Sequence, residues 1–145
     1  MIRKMEVKDA DRVYQIENQA FFEPWSKKEL MKELVENKIL KHYVYEIDGK
    51  VAGFYIVSLI LDEVEIFTIA VDKDFRGRKI ASKMLEHLIK NSKEKNVKKI
   101  WLEVSTINEV ALGLYKKYGF KTVRIRKNYY YKTNEDAYIM VKEIL

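Results

Sequence analysis

Apolar residues recur along this chain with two different periods, and the switches between them mark its elements. Val13, Ile16 and Ala20 stand at helical spacing, with Asp9 or Asp11 placed to open the helix. Phe21-Phe22-Glu23-Pro24-Trp25 interrupts this pattern. Ser26-Lys27-Lys28-Glu29 then reads as a capping box, and Leu30, Met31, Leu34 and Val35 as the buried stripe of a second helix. Further on, the pattern becomes that of strands. Tyr43–Ile47 and Val51–Leu59 are rich in β-branched and aromatic residues and flank Asp48-Gly49, a hairpin turn. Asp62-Glu63 is a second polar turn, and Val64–Val71 a third strand. A Lys/Arg/Gly loop leads into a helix with Ile80, Met84, Leu85, Leu88 and Ile89 on one face. Lys99–Ser105 reads as a strand, Glu109–Lys117 as a short helix ended at Gly119, and Lys121–Arg126 and Ala137–Ile144 as closing strands.

This order predicts a mixed α/β domain rather than a regular doubly wound one. Residues 64–105 should form a right-handed crossover between two parallel strands. No repeat, low-complexity tract or linker divides the sequence, so residues 1–145 are expected to fold as a single domain. A chain of 145 residues buries enough surface to stand without a metal or disulfide. Zero cysteine excludes disulfides, thiolate zinc sites, iron–sulfur clusters and a cysteine nucleophile, and with two histidines no metal site is expected. The amino end, MIRKMEVKDADRV, has no apolar leader core, and the most apolar run, VAGFYIVSLIL, is about half a membrane span. A cytoplasmic protein without a membrane partner is expected. The net charge of +6 suits an anionic partner, either nucleic acid, acidic protein or a phosphorylated cofactor, and suits a solvated surface equally.

Chemistry enters at three places. The segment Val71-Asp72-Lys73-Asp74-Phe75-Arg76-Gly77-Arg78-Lys79-Ile80-Ala81 joins a strand to an amphipathic helix. Such a junction presents unpaired amides and the positive end of the helix dipole, both suited to a phosphate. Arg76, Arg78 and Lys79 add cations, and Gly77 and Ala81 keep the approach open. A solvated basic loop has the same composition; neither a Walker loop nor a Rossmann fingerprint is present. Second, Glu103 is a lone carboxylate within Ile100-Trp101-Leu102-Glu103-Val104, on the strand face of Trp101 and Ser105. It reads either as a general base raised by apolar surroundings or as an outer-face residue paired with a lysine. Third, Asn108 caps the next helix or bonds a ligand, and Tyr115 packs on that helix or donates its phenolic proton.

In combination these pieces resemble the GNAT superfamily of N-acetyltransferases. The residues that carry the likeness are Thr68-Ile69-Ala70-Val71, Arg76-Gly77-Arg78-Lys79-Ile80-Ala81, Trp101-Leu102-Glu103-Val104, Asn108 and Leu114-Tyr115…Tyr118-Gly119-Phe120. Glu23-Pro24-Trp25-Ser26, Leu61-Asp62-Glu63, Ile125-Arg126-Lys127-Asn128-Tyr129-Tyr130 and Glu135-Asp136-Ala137-Tyr138-Ile139-Met140 extend it over nearly the whole chain. They are similar to the branch that acetylates the amino-terminal alanine of a small-subunit ribosomal protein.

The resemblance implies a splayed, mostly antiparallel sheet of about seven strands flanked by helices, with acetyl-CoA in the cleft. It implies that Ile69, Ala70 and Val71 meet the pantetheine arm and acetyl group. Arg76, Gly77, Arg78, Lys79, Ile80, Ala81 and Ser82 would surround the pyrophosphate, and Asn108 would touch the cofactor further along. It makes Glu103 the proton acceptor and Tyr115 the proton donor, with a protein amino terminus as acceptor, no metal and no direct nucleic acid. Lys79 departs from the family loop, which carries glycine there. Its amide still donates, but a positive φ is costly for lysine and its side chain must turn outwards, adding a cation to the cradle. Phe22, Trp25 and Tyr130–Tyr131 are candidate walls of a peptide groove, and Asp62-Glu63 a candidate attractor of a cationic terminus. The competing readings are a broader N-terminal or small-amine acetyltransferase, an acetyl-CoA sensor, and an RNA- or ribosome-binding module built on Arg124–Lys132.

Overall fold

A computed structural model describes residues 1–20, 32, 40–130 and 135–144. The helix read from Ser26 to Val35 lies outside the described residues, apart from Lys32. Strands β1 (Ile2–Lys4), β2 (Leu40–Ile47), β3 (Lys50–Ile60), β4 (Glu63–Val71), β5 (Lys99–Ser105), β6 (Lys121–Tyr130) and β7 (Glu135–Glu143) form one sheet. Its order is β1-β2-β3-β4-β5-β7-β6. Only β4 and β5 pair in parallel; the other neighbours are antiparallel. Helices α1 (Ala10–Ala20), α2 (Ile80–Glu94) and α3 (Glu109–Lys117) complete the described elements, with 3-10 turns at Val7–Asp9 and Lys73–Phe75.

The local chemistry accounts for these bounds. Asp48 and Gly49 both take positive φ, 49° and 79°, between the paired residues Ile47 and Lys50. That is the two-residue turn whose twist matches a right-handed hairpin. The second turn falls at Leu61-Asp62 rather than Asp62-Glu63, and Glu63 is already the first residue of β4. The first helix is preceded by a 3-10 turn: Glu6 and Asp9 cap each other reciprocally, and α1 begins only at Ala10. Arg3 of β1 grips Asp9 with two bonds of 2.8 and 2.9 Å and reaches Glu46 of β2 at 3.0 Å.

The sheet is covered on both faces. Ile80, Met84, Leu85 and Leu88 of α2 and Tyr115 of α3 bury one face with Tyr55, Val57, Val64, Ile66, Ile100, Leu102 and Met140. Val13 and Ile16 of α1 bury the other with Val44, Phe54, Ile56 and Ala70. The inner strand β3 is therefore covered on both sides, buried from Val51 to Ser58. At Gly53 a Cβ would lie 2.9 Å from the Ala70 carbonyl oxygen and 3.1 Å from the Met84 methyl, so only glycine lets α2 settle on β3 here. Across the same interface the Tyr55 hydroxyl meets His87 Nδ1 at 2.7 Å, and Tyr43 stacks on Tyr55 with centroids 5.0 Å apart.

Candidate active site

The parallel pairing of β4 and β5 runs only from Glu63↔Lys99 to Ile66↔Leu102. Yet β4 continues to Val71 and β5 to Ser105. The divergence coincides with a bulge: Ile56 faces Thr68 and Val57 faces Ile66, leaving Phe67 as an extra residue. Such a bulge bends its strand and increases its twist. Beyond it the two strands part, and the β5-side amides and carbonyls of β4 have no ladder partner among the described residues. Ile69, Ala70 and Val71 lie on this open edge.

The loop after β4 is pinned at its start. Asp72 is buried, forms an ion pair with Arg12 of α1, and accepts a hydrogen bond from the Asp74 amide at 3.0 Å. The loop then turns through Gly77 at φ +83° and Lys79 at φ +61°. Lys79 thus takes the left-handed conformation whose cost the sequence foretold, about 1–2 kcal/mol for an L-residue. The helical ladder of α2 starts with Lys83 N–H donating to the Lys79 carbonyl at 3.0 Å. The amides of Ile80, Ala81 and Ser82 therefore have no intrahelical acceptor. Arg76, Arg78 and Lys79 are exposed around them. Free amides, the helix dipole and three cations together fit a phosphorylated ligand.

On the other side of the splay, Glu103 projects from β5 on the face of Trp101 and Ser105, as its register predicts. Leu102 and Val104 point the opposite way into the core. The partner of Glu103 is an arginine rather than a lysine: Arg126 Nη1 donates to Glu103 Oε1 at 3.1 Å. Its Oε2 is buried and accepts no hydrogen bond among the described residues. Glu65 of β4 stands on this same face, beside Trp101. Burial first, and the Glu103 charge second, push the Glu65 carboxyl up. The carboxylates of the Asp62-Glu63 segment are engaged, Glu63 by the Trp101 indole N–H at 2.6 Å and Asp62 by Lys98 at 3.4 Å.

Asn108 is the N-cap of α3, its side chain accepting from the Ala111 amide at 3.2 Å. Tyr115 is 6% exposed and packs edge-on against Phe120 with ring centroids 5.7 Å apart. Both thus make the contacts of their structural readings, Asn108 as a helix cap and Tyr115 as a core ring. Tyr138 packs on the core from β7. Phe22, Trp25 and Tyr131 lie outside the described residues. The sequence alone marks neither Glu65 nor the pairing of Asp72 with Arg12. An isolated Glu in Val64-Glu65-Ile66 is an ordinary alternating position until β5 is laid beside it. Among the described residues no group of three or more potential ligands gathers to hold a metal, and no helix is long and apolar enough to cross a membrane.

Residues 10–120 match the Acetyltransferase (GNAT) family. The chain is similar to the ribosomal protein bS18-alanine N-acetyltransferase of Escherichia coli K12, with 37% identity over 145 residues, covering 99% of this chain and 97% of the relative. Its fold is similar to the crystal structure of the ribosomal-protein-S18-alanine N-acetyltransferase from Escherichia coli, with a TM-score of 0.91 at 36% identity, covering 99% and 93% of the two chains. It is also similar to Ard1 from Thermoplasma volcanium, with a TM-score of 0.89 at 30% identity, covering 100% and 97%.

Proposed function

Because this chain belongs to the GNAT acetyltransferase family and is an N-acetyltransferase, we propose that it transfers acetyl from acetyl-CoA to the amino-terminal amine, alanine by preference, of a small-subunit ribosomal protein. The observation that carries this reading is the splay beyond Ile66 and Leu102, with an anion-ready loop at one side and Glu103 at the other. The relatives named for acetylating the alanine of ribosomal protein bS18 support the acceptor.

In this reading the amides of Gly77 to Ser82, with Arg76, Arg78 and Lys79, hold the cofactor's pyrophosphate, and the open edge at Ile69, Ala70 and Val71 bonds its arm. Asn108 touches it from the head of α3. Bound acetyl-CoA supplies an activated acyl group that an amine can attack without a covalent enzyme relay. Attack needs a neutral amine. An α-amino group has a pKa of about 7.7–8.0 against about 10.4 for lysine, a difference of about 3.4 kcal/mol in deprotonation at fixed pH. A single carboxylate base therefore suits an amino terminus better than a lysine side chain. Glu103 takes the amine proton, directly or through water. Strand amides near Val71 face the oxygen that gains negative charge. Tyr115 gives its proton to the departing thiolate.

A panel of short peptides differing only at residue one, incubated with acetyl-CoA and read by mass spectrometry, tests the acceptor. Alanine-starting peptides should be acetylated fastest. Equal rates across the panel would instead favour a broad N-terminal acetyltransferase.

A further inference from the structure

We infer that Arg126 is a positioning residue for this reaction: reaching over Ala137, it holds one oxygen of Glu103 and leaves the other to receive the substrate's proton. This rests on the reading of Glu103 as the proton acceptor.

The placement follows from register. Glu103 of β5 faces Ile139 of β7, which faces Arg124 of β6; one row on, Ser105 faces Ala137, which faces Arg126. Residues in one row share a face, so Arg126 lies diagonally from Glu103 with β7 between them. Two inter-strand steps are about 10 Å, within reach of an extended arginine only if the intervening side chain is small. Ala137 fills that position and is fully buried, although it sits next to an edge strand. The resulting contact is the 3.1 Å bond to Oε1. On its other side the guanidinium lies against the Tyr129 ring, 4.8 Å from Cζ to centroid. An arginine that is 57% exposed and unsupported gains little from one ion pair. Held between a ring and a carboxylate, its planar fork keeps a fixed aim.

That aim leaves the two oxygens of Glu103 unlike. Oε1 is bonded; Oε2 is buried without a hydrogen-bond partner among the described residues, a condition that favours an incoming donor. The charges around Glu103 divide by element. Glu65 stands on β4 beside Trp101, Arg126 of β6 makes the direct contact, and Arg124 of β6 lies in the same row as Glu103, across Ile139. On β7, Glu135 is engaged by the Ser105 hydroxyl at 2.6 Å and Asp136 by Lys127 at 3.1 Å. Trp101 and Ser105, its neighbours on β5, carry no charge. Arg126 is thus the cation in direct contact with the proposed base.

Steady-state kinetics on an alanine-starting peptide, with a pH profile of kcat/KM, tests this in wild type, Arg126→Gln, Arg126→Lys and Glu103→Gln. Arg126→Gln should lower kcat about tenfold and move the acid limb up by about 0.5 pH unit, with the KM for acetyl-CoA unchanged. Arg126→Lys should return the limb to its wild-type position while restoring kcat only in part, because charge is kept and the fork is lost. Arg126→Gln should add no further loss in a Glu103→Gln background. If Glu103→Gln is inactive while Arg126→Gln keeps the wild-type kcat and acid limb, the positioning role is wrong. If Glu103→Gln itself retains wild-type turnover, the base assignment beneath it fails as well.

Discussion

Arg12 on α1 and Asp72 at the foot of β4 form an ion pair in which the Asp72 side chain is almost wholly buried. Asp72 also bonds the Asp74 amide, and its own amide donates to the Ala52 carbonyl at 2.8 Å. One carboxylate therefore fixes where the strand ends and the basic loop begins. Asp72→Asn leaves Arg12 without its counter-charge and should destabilise the fold by about 3 kcal/mol in urea unfolding. Acetyl-CoA affinity should fall with it, because the loop loses its anchor.

Lys79 should be worse than glycine for stability at its position. With φ at +61°, Lys79→Gly relieves left-handed strain and should stabilise the protein by about 1 kcal/mol, raising the melting temperature by about 3 °C. Lys79→Ala keeps the strain and removes only the charge, so it should show no such gain. Both variants should bind acetyl-CoA with a weaker salt dependence than wild type.

Asp9 gives the fold a pH-dependent contribution. Burial pushes its carboxyl up, but the hydrogen bonds from Arg3 and the Glu6 amide, with the Arg3 charge, outweigh this and hold it below the usual carboxylate value of 3.8. A depressed folded value means stability that is present above the unfolded pKa and is lost as pH falls through the folded one. Wild type should thus lose its advantage over Asp9→Asn below about pH 4, as measured by unfolding across pH 2–7.

Tyr115→Phe separates packing from proton donation. The ring keeps its edge-on contact with Phe120, so stability should change by less than about 1 kcal/mol. Turnover should fall about 100-fold with acetyl-CoA affinity nearly intact. Wild-type turnover would leave Tyr115 a core residue only.

Much of this was legible in the residues, and the misses have physical causes. The hairpin at Asp48-Gly49, the strand face of Glu103 and the capping position of Asn108 depend on local periodicity and turn chemistry, which a sequence carries. Strand β1 has three residues, too few for any period to register. Strand β6 runs on to Tyr130, past the expected end at Arg126, because its pairing with β7 absorbs an irregularity between Arg126 and Tyr130. The bulge at Phe67 that opens the cleft depends on two strands meeting out of step. The Glu103–Arg126 pair needs three strands in register and a small residue in the middle one. The charge of +6 alone suits nucleic acid, acidic protein, a phosphorylated cofactor or a solvated surface; three of its cations surround the head of α2, where phosphate is proposed to bind.

The proposed chemistry requires that the acetyl group arrive on an α-amine. An alanine-starting peptide that also carries one internal lysine should be incubated with the protein and acetyl-CoA, and the product sequenced by tandem mass spectrometry. The expected product carries one acetyl group on the amino-terminal alanine and none on the lysine. An unmodified peptide, or acetyl on the lysine alone, would contradict transfer to an amino terminus.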